Sequence, residues 1–166
     1  MKQLPILKTL VQVLFVFSLL AMFFAVPFLL ITIVMPDSVP FTIYEQKAVE
    51  LPLISKLIAF IIVGAVALYI YALYIFKQTL VLFEKKRVFD PAVIKNFQLI
   101  GRNIFGGYLL YAIGSMAFKL SLNTLEINTD FIVDSIITIA IGLFFFVLSE
   151  VFQMAKTLKE ENDLTV

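Results

Sequence analysis

The chain has 166 residues, of which 61% are apolar, and its formal net charge is +1. Soluble domains are about 45–50% apolar, so a chain with a mean hydropathy of +1.02 has too little polar surface to cover a water-soluble core. The sequence contains no Cys and no His, which excludes disulfides, thiol catalysis and most zinc, copper and haem sites. The composition therefore predicts a membrane protein, with no cofactor or metal site and no direct contact with nucleic acid.

Four apolar runs without charged residues lie at positions 9–36, 57–76, 103–118 and 135–148. A membrane-spanning helix needs about 20 mainly apolar residues, so the first two runs qualify by themselves. The last two qualify if the charged residues that flank them lie at the membrane surfaces. We predict an all-α antiparallel four-helix membrane bundle that forms one domain over residues 1–166. The spans are expected at about 9–35, 57–77, 101–121 and 131–153, followed by a cytoplasmic tail at 156–166. The first run is too long for a signal peptide and is expected to be an uncleaved span.

The distribution of Lys and Arg predicts the orientation. Ten of these residues lie before the first span, between the second and third spans, or in the tail, and three lie at positions 47, 56 and 119. Because short cytoplasmic loops are enriched in Lys and Arg, we expect both termini to be cytoplasmic. The outer loop at 37–56 is expected to be irregular and to hold at most a short helix.

The dipeptide Asp90-Pro91 predicts the start of a helix after the second span. An Asp side chain accepts hydrogen bonds from the first free amides of a helix, and Pro at the first helical position loses no donor. This helix is expected to run straight into the third span, with its first turns lying along the inner membrane surface.

Two segments carry a family resemblance. After the second span the chain reads KKRVFDP and then LIG. The end of the chain has an acid, a bulky apolar residue and Phe, then a Leu, two acids and DLTV: Glu150, Val151, Phe152, Leu158, Glu160, Glu161 and the terminal four residues. Both segments resemble a bacterial membrane family, domain of unknown function 2975, although that family favours an Asn near Val93 and a Gly at Ala155. The resemblance implies a four-helix bacterial inner-membrane protein of no known activity, often encoded beside a small Cro/C1-type helix-turn-helix regulator.

Charged residues at the ends of the third and fourth spans are predicted to form ion pairs. The short loop between these spans makes them antiparallel neighbours, and the two charges on each helix are about 25 Å apart. We therefore predict an Asp134–Lys119 pair at the outer side and a Glu150–Arg102 pair at the inner side, with Lys77 as the alternative inner partner. The other interpretation of Glu150 is proton or cation handling, but this generally needs several acids at mid-depth, where none is expected.

The remaining polar residues inside the spans are interpreted as packing and interfacial residues rather than as a substrate path. They are Tyr69, Tyr71, Tyr74, Tyr108, Tyr111, Ser115 and Thr138.

The expected cytoplasmic surface carries candidate partner-binding residues. These are Lys85, Lys86 and Arg87 in the second loop and Leu164, Thr165 and Val166 at the end of the chain. The basic cluster is smaller than the usual lipid-binding pattern of about four to eight cations, so its charge also fits a role in setting topology. An apolar-x-apolar end could add as a strand to a partner.

Together with the resemblance, these features predict a non-enzymatic protein that contacts membrane lipid and binds or restrains a small cytoplasmic regulator. A small transporter or channel subunit is the alternative, and an intramembrane enzyme is the third hypothesis.

Overall fold

A computed structural model describes residues 3–40, 42–43, 46–124 and 129–164. Within these residues the chain forms four long helices: α1 at Leu4–Val34, α2 at Leu53–Glu84, α3 at Pro91–Ser121 and α4 at Thr129–Leu164. The loop between α1 and α2 holds a 3₁₀ turn at Pro36–Ser38 and a small antiparallel hairpin of β1 (Thr42–Ile43) and β2 (Gln46–Lys47). Each of the four helices is long and apolar enough to cross a membrane, which confirms the predicted all-α, four-span fold.

The helices pack in chain order, α1 on α2, α2 on α3 and α3 on α4. At one end of the bundle, Lys8 Nζ of α1 lies 2.6 Å from Glu84 Oε2 of α2. The ring of Phe83, next to Glu84, stacks on Phe152 of α4 with centroids 5.8 Å apart. We call this the inner end, because the α2–α3 loop and the late residues of α4 meet there, and we call the opposite end the outer end.

The start of α3 follows from its capping residues. Asp90 accepts a hydrogen bond from the amide of Ala92 at 2.9 Å and occupies the position before the first turn, with Pro91 as the first helical residue. This start is as predicted. The first turns differ from the expectation in their position, because Val93, Phe97 and neighbouring apolar residues are buried in the bundle. The expected interfacial helix is therefore the packed inner part of α3, held there by its apolar face.

The contact between α2 and α3, which we call the first seam, is closed over the length of both helices. Ser55 and Ser121 share a hydrogen bond of 2.8 Å at the outer end, and Asn96 donates one of 3.1 Å to Thr79 near the inner end. Between them, Gly107 lets α3 approach the carbonyl oxygen of Ala65 closely, since a Cβ added to this glycine would lie 3.3 Å from that oxygen. Small residues of this kind are the usual means of close helix packing in membranes.

The contact between α3 and α4, the second seam, is tight only over its inner part. A Cβ added to Gly142 would lie 2.9 Å from the ring of Phe105, so only a glycine fits without a shift. The hydroxyl of Ser149, which is 1% exposed, donates a hydrogen bond of 3.1 Å to the carbonyl oxygen of Ile94. The ring of Phe97 lies between the two seams, 5.2 Å from the centroid of Phe152 and 6.0 Å from that of Phe145. The inner half of the bundle thus has an aromatic core in which α2, α3 and α4 meet.

Candidate functional site

The second loop presents part of its predicted partner-binding cluster to the surroundings. Lys86 has φ of 57°, a left-handed conformation that often follows the last turn of a helix. Arg87 turns back, and its Nη2 lies 2.7 Å from Asp90 Oδ2. The ion pair joins Arg87 to the residue that caps α3, whereas the side chains of Lys85 and Lys86 are exposed. Arg87 therefore helps to hold the start of α3, whereas Lys85 and Lys86 face outward.

The tail of the chain is a helix through Leu164 and extends past the other inner helix ends. Because Phe152 of α4 packs at the level of Phe83 and Phe97, residues 153–164 extend about 18 Å past the level of these rings. Nζ of Lys159 lies 5.7 Å from the centroid of the Phe89 ring in the second loop. The structure thus brings the second loop and the helical tail together on one surface. Leu164 is exposed, and Thr165 and Val166 lie outside the described residues.

The pairing of α3 with α4 has a regular register. Ser149 lies opposite Ile94, Gly142 opposite Gly101, and the hydroxyl of Tyr108 donates a hydrogen bond of 2.7 Å to Ser135 Oγ. On α3 these positions are 94, 101 and 108, and on α4 they are 149, 142 and 135, so the three levels are evenly spaced. This register, set by small residues and hydroxyls, decides which charged groups can meet.

The predicted inner ion pair is not formed within 4 Å in the described part of the chain. In the observed register Glu150 lies level with residue 93, about 13 Å along α3 from the level of Arg102. Both side chains nevertheless line a groove of about 400 Å³ together with Lys95 and Gln98. Lys77 faces α1, where its Nζ lies 5.2 Å from the centroid of Phe15. Glu150 is exposed at about the level of the Lys8–Glu84 pair, which places it at the inner surface.

The predicted outer pair of Asp134 with Lys119 is also not formed among residues 46–124 and 129–164. In the same register Asp134 lies level with residue 109, about 15 Å along α3 from Lys119. The α3–α4 contact is fixed by close packing at glycines and Ser149, and the charges at the outer helix ends do not determine it. Asp134 consequently lies farther from the outer end of α3 than the sequence predicts, and its side chain is exposed.

The position of Asp134 along the bundle follows from the same register. Tyr108, beside Asp134, lies about 16 Å along α3 from Lys119 and about 20 Å from Lys95. The bonded pair Ser55–Ser121 shows that Lys56 and Lys119 share the outer end. Asp134 therefore lies about 15 Å inward of the level of Lys119 and about 24 Å along α4 from Glu150.

A cavity of about 300 Å³, which we call the outer cavity, lies where the second seam opens, and Asp134 is one of its lining residues. Its polar lining comes from three helices and consists of Tyr69, Tyr108, Tyr111, Asp134, Ser135 and Thr138. The Tyr108 hydroxyl is bonded to Ser135, and Ser135 donates to the carbonyl oxygen of Phe131. In the described part of the chain, Asp134 has no hydrogen bond or ion pair, and the hydroxyls of Tyr69 and Tyr111 have no hydrogen bond. One acid and two phenol groups are thus available to a ligand.

A second and larger opening, the inner cleft, lies between the start of α1 and the late part of α4. Its volume is about 980 Å³ and its lining is almost entirely apolar, with Phe76, Phe83, Phe145 and Phe152 among the residues. The cleft lies over the aromatic core on the side of the bundle that also carries the outer cavity. Its chemistry suits hydrocarbon, and it holds no group that could perform a reaction.

A comparison with known protein families gives a match over nearly the whole length of the chain. A family model described as protein of unknown function, DUF2975, matches residues 2–166. The chain belongs to the DUF2975 family. No curated protein and no solved structure matches the sequence of this DUF2975 member.

The sequence of this DUF2975 protein does not predict the outer cavity. Its pattern favours packing and interfacial roles for Tyr69, Tyr108, Tyr111 and Thr138 and a position at the outer surface for Asp134. The signal that could have located them is the even spacing of Gly101 and Ile94 on α3 and of Gly142 and Ser149 on α4. Among the described residues, no group of three or more His, Cys, Asp and Glu side chains is placed to hold a metal ion.

Proposed function

We propose that this protein is a non-enzymatic membrane partner of a small cytoplasmic regulator, of the helix-turn-helix type that the family resemblance implies. The observation that supports the proposal is the helical overhang of α4 at residues 153–164, which meets the second loop where Lys159 lies over Phe89. A protein needs no helix beyond the membrane in order to span it. An ordered extension of about 18 Å is instead suited to contact a partner in water.

The surface of the overhang has the pattern of a docking helix. Val151, Met154 and Leu158 are 49%, 58% and 64% exposed and lie at helical spacing along α4. Lys156 and Glu160 form an ion pair of 3.5 Å on the same helix. An apolar stripe flanked by charged residues is the arrangement by which an amphipathic helix enters a partner's groove. The exposed Lys85 and Lys86 would add a charged rim to this surface.

The partner surface requires that both termini and the second loop face the cytoplasm of a bacterial inner membrane. The supporting observation is the excess of Lys and Arg in these segments. Because the sequence contains no Cys, single Cys residues can be introduced and labelled from outside with a membrane-impermeant maleimide. We expect labelling at Lys47→Cys and none at Lys86→Cys or Asn162→Cys. Labelling of Lys86→Cys in intact cells would contradict the orientation and with it the proposal.

Partner binding is tested by recovery of a helix-turn-helix protein with the tagged chain from detergent-solubilised membranes. The double variant Met154→Ser and Leu158→Ser should abolish recovery, because both side chains belong to the exposed stripe. Gln153→Ala, at an exposed polar position of the same helix, is the matched control and should leave recovery unchanged. Deletion of residues 156–166 should also abolish recovery while the four helices still fold. Equal recovery with the wild type and the double variant would remove the tail from the mechanism.

A small transporter is the second candidate, and one observation favours it. Asp134 lines the outer cavity on the spanning helix α4 with no ion pair in the described residues, and ionisable groups within spans often mark substrate or ion paths. Flux across proteoliposomes that contain the purified chain alone would support this function. Absence of flux together with recovery of the regulator would favour the first.

A further inference from the structure

The outer cavity combines a carboxylate, aromatic rings and free hydroxyls at one place in the membrane. We propose that it binds an organic ammonium ion, with Asp134 as the counter-ion and the rings of Tyr69, Tyr108 and Tyr111 around the cationic group. The proposal concerns a ligand site in the spanning region and does not depend on the cytoplasmic partner.

The charge of the ligand follows from Asp134. Asp134 lies on the spanning helix α4 without an ion pair in the described residues, and the residues that line the outer cavity include no Lys or Arg. An acid within a span is costly unless it is paired. The nearest predicted cation, Lys119, lies about 15 Å away along the helix axis. A cationic ligand inside the cavity would supply the missing charge. It would lie between α2, α3 and α4, so that binding also joins helices across the open part of the second seam.

The aromatic lining selects an organic cation rather than a metal ion. Ca²⁺ takes about six to eight oxygen ligands, and Mg²⁺ requires about six in octahedral geometry, whereas this cavity offers one carboxylate and a few hydroxyls. The negative faces of Tyr rings attract alkylammonium groups, which is the basis of aromatic cages for quaternary amines. Three such rings from two helices line the same cavity as the carboxylate.

The size and the apolar walls further define the ligand. A cavity of about 300 Å³ is at the lower end of the range for small-molecule sites. Val66, Phe131 and Ile137 complete the lining and provide contacts for hydrocarbon. The cavity therefore fits a small ammonium ion with one aromatic or short alkyl substituent.

The test uses the full chain in nanodiscs of zwitterionic lipid, so that anionic headgroups do not bind the cation. Benzyltrimethylammonium is the probe, and isothermal titration calorimetry measures its dissociation constant. Wild-type protein should show saturable binding of one ion per chain. Asp134→Asn should weaken binding about tenfold or more, since it removes the counter-ion and keeps the shape. Asp37→Asn, an exposed acid in the 3₁₀ turn, is the matched control and should bind as the wild type does.

A second pair of variants tests the aromatic part separately. Tyr111→Leu should weaken binding about fivefold by removing one ring from the cavity. Tyr71→Leu, which removes an exposed ring stacked on Tyr74 outside the cavity, should have no effect. Wild-type protein without saturable binding, equal affinity in Asp134→Asn, or equal losses in Asp134→Asn and Asp37→Asn would each overturn the proposal. So would displacement of the probe by Na⁺ at equimolar concentration, because the site would then prefer an inorganic cation.

Discussion

The two seams of α3 differ in a way that separates structural positions from functional ones. The first seam, with α2, is bonded near both ends by hydroxyl and amide side chains and closed between them at Gly107. The second seam, with α4, is closed by Gly142 and Ser149 in its inner part and opens around Asp134 in its outer part. In the outer cavity Tyr108 and Ser135 are bonded to each other across the seam, whereas Asp134, Tyr69 and Tyr111 have no side-chain hydrogen bond in the described residues and are left available. We infer that the inner contacts hold the bundle together and that the open segment is reserved for a ligand.

The largest effect is expected from loss of the ring between the two seams. Phe97→Ala removes a side chain that is 3% exposed and contacts Phe83, Phe145 and Phe152. The free energy of unfolding should fall by about 3 kcal/mol, because a cavity opens where three helices meet. Denaturant titration in mixed micelles, followed by circular dichroism, measures this change. Phe17→Ala, at an exposed lipid-facing position, should cost less than about 0.5 kcal/mol.

The next effect concerns the close approach that sets the register of α4. Gly142→Ala adds a Cβ that would lie 2.9 Å from the Phe105 ring, so one of the two helices must move. We expect a loss of about 1–3 kcal/mol in the same titration, as for other overpacked contacts. Gly64→Ala is the control, since its Cβ would lie 3.6 Å from Leu110, an ordinary contact. If both substitutions have the same effect, the close fit of the second seam is not what stabilises it.

A smaller effect is expected from the hydrogen bond between α3 and α4. Ser149→Ala removes the donor to the carbonyl oxygen of Ile94 and should reduce the free energy of unfolding by about 0.6 kcal/mol, the typical value for such bonds in membranes. Ser18→Ala, whose exposed hydroxyl bonds only to Leu14 of its own helix, should change stability by less than this. A larger loss of stability in Ser18→Ala than in Ser149→Ala would show that the Ser149 bond does not stabilise the second seam.

The smallest effect on stability is expected in the open segment. Asp134→Leu removes no hydrogen bond or ion pair within the described residues, so the free energy of unfolding should change by less than about 0.5 kcal/mol or increase. Thermal melting in nanodiscs compares this variant with the wild type. A loss as large as that of Gly142→Ala would show that Asp134 has a structural role, and the distinction between the two parts of the seam would fail.

The sequence predicts those features of the fold that depend on local composition. Four apolar runs are sufficient to locate four spans, and Asp90 with Pro91 is sufficient to locate the start of α3, because lipid and capping act on consecutive residues. The register between α3 and α4 depends on how closely the two helix surfaces fit at their glycines. Pairing the opposite charges of these helices predicts a different register from the one that this close packing gives. Since the outer cavity exists only in the observed register, pairing the helices by their charges does not bring its residues together.

The central claim is that the register of α4 places Asp134 about 15 Å inward of the level of Lys119, and Glu150 level with residue 93 at the inner end. It is tested most directly by spin labels on Asp134→Cys and Glu150→Cys in nanodiscs, with membrane depth read from the ratio of collision rates with oxygen and with a water-soluble nickel chelate. The chain has no other Cys, so each label reports one position. We predict that the label at 134 reports a clearly greater depth than the label at 150. Equal, shallow depths at both positions would contradict the account, because they are the result expected if the two acids paired with Lys119 and Arg102 at opposite surfaces.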